Sequence, residues 1–147
     1  MDGLAVAAHV AAVAALGLQS SQTLYALITT VHGAGREIAS VADNVSLIAA
    51  VLKDLEVVLR QDSRLYRRQL VKAVLETLNS CEGVFKGIKG HVDVSSSGQL
   101  PKKIACYFNR ERVKALQAEL GALKSTLNVL SHVVQLAKVA GEAQLYQ

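Results

Sequence analysis

From Gly3 to Gly35 the chain carries no Asp, Glu, Lys or Arg. Within that stretch, Leu4–Leu18 is apolar around the whole circumference of a helix, interrupted only by His9 and Gly17. A helix of that kind needs apolar surroundings on every side. Neighbouring helices supply them in a soluble core, and lipid supplies them in a membrane. The two readings are compatible, because one segment can be buried at rest and lipid-exposed when active. Gln19, Ser20, Ser21, Gln22 and Thr23 then form a polar band, and Leu24, Leu27, Ile28 and Val31 restore an apolar stripe. Gly33-Ala34-Gly35 reads as the stop of a helix over about 4–32.

The rest of the chain repeats the helical theme with a charged outer face. Over 36–60 the apolar positions are Ile38, Val41, Val45, Ile48, Leu52, Leu55 and Leu59, spaced three and four apart without a break. Over 64–91 the seam is Leu70, Val74, Leu78, Cys81, Phe85 and Ile88. Over 109–140 it is Val113, Leu116, Leu120, Leu123, Leu127, Leu130, Val134 and Ala137, with Gly141 as a stop. Such seams pack helices at shallow angles. Aromatics are few and there is one Pro in 147 residues, which suits helices better than sheets. The expectation is an all-α, up-down bundle of four long helices over residues 1–140. A short extra helix fits before the last one, and 141–147 reads as a tail.

Charge is unevenly distributed. Residues 1–59 hold two basic groups against five acids, residues 60–114 twelve against five, and residues 115–147 two against two. Arg64, Arg67, Arg68 and Lys72 crowd the first turns of the third helix, where positive charge opposes the helix dipole. Stability does not explain them well; an anionic ligand does. Lys102 and Lys103 form a second basic group, with Arg110, Arg112 and Lys114 close behind. In an up-down topology the two groups fall at opposite ends of the bundle. Anionic lipid headgroups are the expected partners, at about 1 kcal/mol per basic residue near the surface. Nucleic acid is disfavoured, because no recognition motif and no stacking aromatics accompany the cluster.

Catalytic chemistry is absent from the pattern. His9, His32, His91 and His132 form no His-x-x-x-His pair, so a helical metal site lacks its usual ligands. There is no phosphate-binding loop and no nucleophile elbow. Cys81 and Cys106 make neither a disulfide scaffold nor a Cys-x-x-Cys pair. The expectation is a protein without catalytic activity, cofactor or metal. The opening Met1-Asp2-Gly3 lacks the basic region of a signal peptide, so the chain reads as cytoplasmic at rest.

The opening LAVAAHVAAVAALGLQSSQTLYALI, the second helix REIASVADNVSLIAAVLKDLEVVL, and Lys102–Phe108 followed by ERVKALQAELGALKSTLNVL resemble the HeLo-like group of fungal cell-death domains. These domains occur at the N-terminus of fungal NOD-like receptors. The similarity runs from about residue 2 to 138 and is weakest across Ser95–Leu100. It implies a bundle that executes regulated cell death, as in heterokaryon incompatibility and fungal innate immunity. An upstream NOD-like receptor or amyloid signal would drive homo-oligomerisation, and the first helix would then leave the bundle and enter the plasma membrane. The inserting residues implied are Leu4, Val6, Val10, Val13, Leu16 and Leu18. The 147 residues contain neither an amyloid motif nor a nucleotide-binding domain. The chain is then either part of a longer protein or has a separate activator. The alternative is a non-enzymatic oligomerisation or adaptor module.

Length tests the insertion idea. Fifteen apolar residues span about 22 Å as a helix, short of a hydrocarbon core of about 30 Å. Reaching that length takes the Gln19–Thr23 band into lipid, so insertion is expected to need an oligomer that hides it.

Overall fold

The computed structural model describes residues 3–28, 35–61, 67–93 and 109–145. They form four α-helices: α1 (Gly3–Leu27), α2 (Gly35–Gln61), α3 (Arg68–Asp93) and α4 (Arg110–Leu145). Among the described residues there is no strand, and the fold is the expected all-α four-helix bundle. The place for a short extra helix, within 94–108, lies outside the described residues.

The seams face inward as their spacing requires. All seven α2 positions are buried, as are Val74, Leu78, Cys81, Phe85 and Ile88 of α3. In α4, Val113, Leu120, Leu123, Leu127, Leu130 and Val134 are buried, while Leu116 is half-buried at the margin. Each buried Leu, Ile, Val or Phe contributes about 1.5–3 kcal/mol relative to exposure, so these seams hold the bundle together.

Helix starts follow capping chemistry. Asn109 Oδ1 accepts the Arg112 N–H at 2.9 Å, and the Asn109 carbonyl accepts the Val113 N–H at 2.9 Å. Asn109 is therefore the N-cap of α4. Arg67 precedes α3 in the same way, its carbonyl accepting the Val71 N–H at 3.1 Å. Residues 62–66, including part of the expected start at 64, lie outside the described residues.

Two helix ends differ from expectation. α1 stops at Leu27, and Ile28 forms a turn whose N–H donates to the Tyr25 carbonyl at 3.3 Å. Residues 29–34, which include the rest of the expected first helix to about 32, lie outside the described residues. Gly35 does not stop a helix but opens α2. A Cβ there would lie 3.4 Å from the Ile28 carbonyl, an ordinary contact, so α2 starts close to the end of α1 without requiring glycine. At the other end of the chain, α4 continues through Gly141 to Leu145 instead of stopping at Ala140. Glycine ends a helix only when it turns left-handed; here helix formers flank it and it costs about 1 kcal/mol in place.

The helices run up, down, up, down, with an arrangement that sequence order does not reveal. α1 packs on α2 and α3, and α4 packs on α2 and α3, leaving α1–α4 and α2–α3 as diagonals. Tyr25 donates to Asp43 and Gly17 lies against Ala49, so α1 and α2 are antiparallel. His9 faces Glu82 and Gln19 faces Lys89, so α1 and α3 are parallel. Gln117 bonds Ser40 and Asn44 while Lys138 bonds Gln61, so α2 and α4 are parallel as well.

The burial of α1 corrects one expectation. Val6, Ala7, Val10, Val13, Ala14, Leu24 and Leu27 are buried, but Leu4, Ala5, Ala8, Ala12, Ala15 and Leu18 face outward. Neighbours cover two sides of α1, not the whole circumference. Its outer face is uncharged because it is built of alanine and leucine.

Candidate membrane helix and the basic end of the bundle

By length and composition, Leu4–Leu27 suffices to cross a membrane, and it is the one such helix among the described residues. Its 24 residues span about 36 Å. The residues expected to insert divide in two. Val6, Val10 and Val13 belong to the core, Leu16 is half-buried against it, and Leu4 and Leu18 are exposed. Full insertion of this set therefore requires α1 to leave its partners.

The polar band is less polar than its composition. Ser20 Oγ donates to the Leu16 carbonyl at 2.8 Å, Ser21 Oγ to the Leu18 carbonyl at 2.9 Å, and Thr23 Oγ1 to the Gln19 carbonyl at 2.8 Å. These three acceptors lie in α1 itself, so the bonds travel with the helix; Ser20 Oγ also lies 3.4 Å from the Phe85 carbonyl of α3, a contact that release would break. What remains to satisfy in an apolar medium is the pair of exposed amides, Gln19 and Gln22. This lowers the barrier expected from five polar residues. A Ser–carbonyl bond inside a helix is also one of the means by which spanning helices satisfy backbone groups.

Polar contacts pin α1 at three levels. His9 Nε2 lies 3.7 Å from Glu82 Oε2, and Lys86 Nζ lies 2.8 Å from Glu82 Oε1. The Lys86 hydrogen bond and charge, with a smaller contribution from His9, hold the Glu82 carboxyl below its ordinary range. Lys89 Nζ donates to Gln19 Oε1 at 3.5 Å. Tyr25 donates to Asp43, and that hydrogen bond raises the Tyr25 hydroxyl above its ordinary value.

Arg67, Arg68 and Lys72 are exposed at the start of α3. The parallel pairing of α1 with α3 puts Gly3 and Leu4 at that same end, where α2 finishes with Arg60. Arg60 is paired with Glu56 at 2.9 Å. Arg64 lies outside the described residues, as do Lys102 and Lys103. Arg110 and Lys114 are at the far end, lining an open cleft with Arg36, Glu37 and Glu111. Among the described residues, Arg67, Arg68 and Lys72 therefore lie at the end where the hydrophobic helix starts, and Arg110 and Lys114 at the opposite end.

No group of three or more His, Cys, Asp or Glu side chains converges among the described residues. Cys81 is fully buried in the α3 seam, and desolvation pushes its thiol up to about 11, the setting of a packing residue. Cys106 lies outside the described residues.

One feature of the surface escaped the seam pattern. Val129, Val133, Leu136 and Val139 of α4 are exposed. They lie on the side of α4 away from its core seam. Their spacing of four, three and three was present in the sequence, but the stronger inward seam masked it.

No family model matches this chain, and no curated protein or solved structure matches it either.

Proposed function

We propose that this bundle is a membrane-permeabilising domain of the HeLo-like cell-death type. Its basic end engages anionic lipid, and clustering by an upstream receptor or amyloid signal releases α1 into the plasma membrane. The observation that carries the reading is α1 itself. It is a 25-residue helix without a formal charge, its Ser20, Ser21 and Thr23 hydroxyls donate to carbonyls of α1 itself, and it begins at the same end of the bundle as Arg67, Arg68 and Lys72. In water the bundle holds α1 because release exposes Val6, Val10, Val13, Leu24 and Leu27, at roughly 1.5–3 kcal/mol each. A bilayer covers the same side chains with acyl chains, so the difference disappears there. Arg67, Arg68 and Lys72 supply about 3 kcal/mol of attraction to an anionic surface.

Dye release from vesicles tests this. Full chain clustered on anionic vesicles releases dye, and neutral vesicles release far less. Ala8→Glu and Ala12→Glu change the exposed outer face, so the bundle keeps its helical content while a charge enters the inserting helix. A charge at the centre of a membrane span costs about 2.5–3.5 kcal/mol. Both variants lose release if the reading holds; undiminished release from both contradicts it.

The exposed α4 stripe favours the second reading, an oligomerisation module, in which folded bundles associate without lipid.

A further inference from the structure

α1 holds two ionisable side chains, His9 and Tyr25. The Tyr25 hydroxyl is raised above its ordinary value by Asp43, so it stays neutral in the physiological range. Histidine is the side chain whose ordinary charge change falls between about pH 5 and 8. His9 is therefore the one position of α1 at which a modest change of pH alters the charge of the helix.

The charged groups around His9 come from two helices. From α3, Glu82 Oε2 lies 3.7 Å from His9 Nε2, at a contact where both side chains are partly exposed. Lys86 holds the other Glu82 oxygen at 2.8 Å. The Glu82 carboxyl sits below its ordinary range, so it is an anion throughout this pH window and only His9 changes charge at the contact. From α2, Lys53 and Glu56 border α1 along Ala11, Ala15 and Leu18. Those three residues are about half a turn round the helix from His9, and Arg60 is paired with Glu56. α4 sits on the diagonal from α1.

We infer, on the reading that α1 enters the bilayer, that His9 is a proton-operated latch: its charged form keeps α1 in the bundle, and loss of the proton allows release. Two effects act in the same direction. In the bundle the imidazolium faces Glu82, a modest attraction across a partly exposed contact. In the bilayer Glu82 is left behind. With Leu4–Leu27 centred in a core of about 30 Å, His9 lies about 10 Å from the midplane, inside the hydrocarbon. Desolvation there disfavours the charged form. The docked state thus holds a proton that the inserted state gives up, and by linkage a rise in pH favours insertion.

Dye release from phosphatidylglycerol vesicles by the clustered full chain, at about pH 5.5 and about pH 7.5, tests it. The phosphodiester headgroup keeps its charge over this range, so the attraction of Arg67, Arg68 and Lys72 to the surface is constant. The neutral fraction of an ordinary imidazole rises about tenfold between the two values. Wild type is expected to release dye up to about tenfold faster at the higher pH. His9→Gln is neutral at both and loses this step, while Glu82→Gln keeps the bilayer part and falls between the two. His32, His91 and His132 titrate in all three chains, so comparing the pH ratios isolates His9. Circular dichroism checks folding, and His9→Ala replaces a His9→Gln chain that fails to fold. No release by wild type at either pH overturns the membrane reading and the latch together. Release with equal pH ratios in wild type and His9→Gln, or in wild type and Glu82→Gln, overturns the latch alone.

Discussion

The ring of Phe85 lies directly on the backbone of Gly17. A Cβ built on Gly17 would come within 2.8 Å of Phe85 Cε2 and 3.3 Å of the Ala49 Cβ. Glycine is required there by close approach: α1 fits between α2 and α3 because this one position has no side chain. Gly17→Ala gains about 1 kcal/mol of helix propensity but overpacks a site where Phe85 is fully buried, at about 1–3 kcal/mol. The expected net is a loss of about 1 kcal/mol, read as a lowered urea midpoint. In a Phe85→Leu background the same substitution should cost less, because the two residues share the contact. Equal costs in both backgrounds would show that the ring is not the obstacle.

Glu82 links α1 to α3 through His9 while Lys86 neutralises it. Its carboxyl sits below the ordinary range in the folded protein, chiefly because of Lys86. A depressed carboxylate stabilises the fold above its unfolded value, about 4.3, and that contribution is lost as pH falls through the depressed folded value. Stability measured from pH 6 down through about 3 should therefore fall less steeply for Glu82→Gln than for wild type. Parallel curves would remove Glu82 from the acid sensitivity.

Arg67, Arg68 and Lys72 lie at the end of the bundle where α1 starts, and Arg110, Arg112 and Lys114 at the opposite end. Replacing the first three by Gln should weaken binding to anionic vesicles by about 100-fold at low salt, from roughly 1 kcal/mol per residue. The same change at Arg110, Arg112 and Lys114 should have a smaller effect. Vesicle co-sedimentation at two salt concentrations checks both, since screening reduces the difference. Equal losses from the two ends would mean that the bundle meets the surface without orientation.

The bundle was legible in the sequence because seams at three-four spacing have one reading. Every α2 seam position from Ile38 to Leu59 is buried, and Ala42 and Ala49 are buried beside them. What was not legible follows from tertiary placement. That α1 pairs in parallel with α3, bringing Leu4 to the basic end, depends on which helices sit on the diagonals. That Ser20, Ser21 and Thr23 bond their own helix depends on rotamers, which composition does not encode. The outer face of α1 was read as covered, because apolarity all round looks the same whether two neighbours or four surround a helix. The exposed α4 stripe was overlooked because a second apolar stripe is weak beside a strong one.

The central claim is that α1 leaves the bundle and enters the bilayer. The chain has no Trp, so single tryptophans report without background. Leu18→Trp places one on the exposed outer face, and Leu16→Trp places one on the side packed against the core. Both are mixed, under the clustering conditions that release dye, with anionic vesicles carrying brominated acyl chains. If α1 is released, both tryptophans are quenched. If α1 only rests on the surface while still packed in the bundle, Leu18→Trp is quenched and Leu16→Trp is not, and that result would contradict the account.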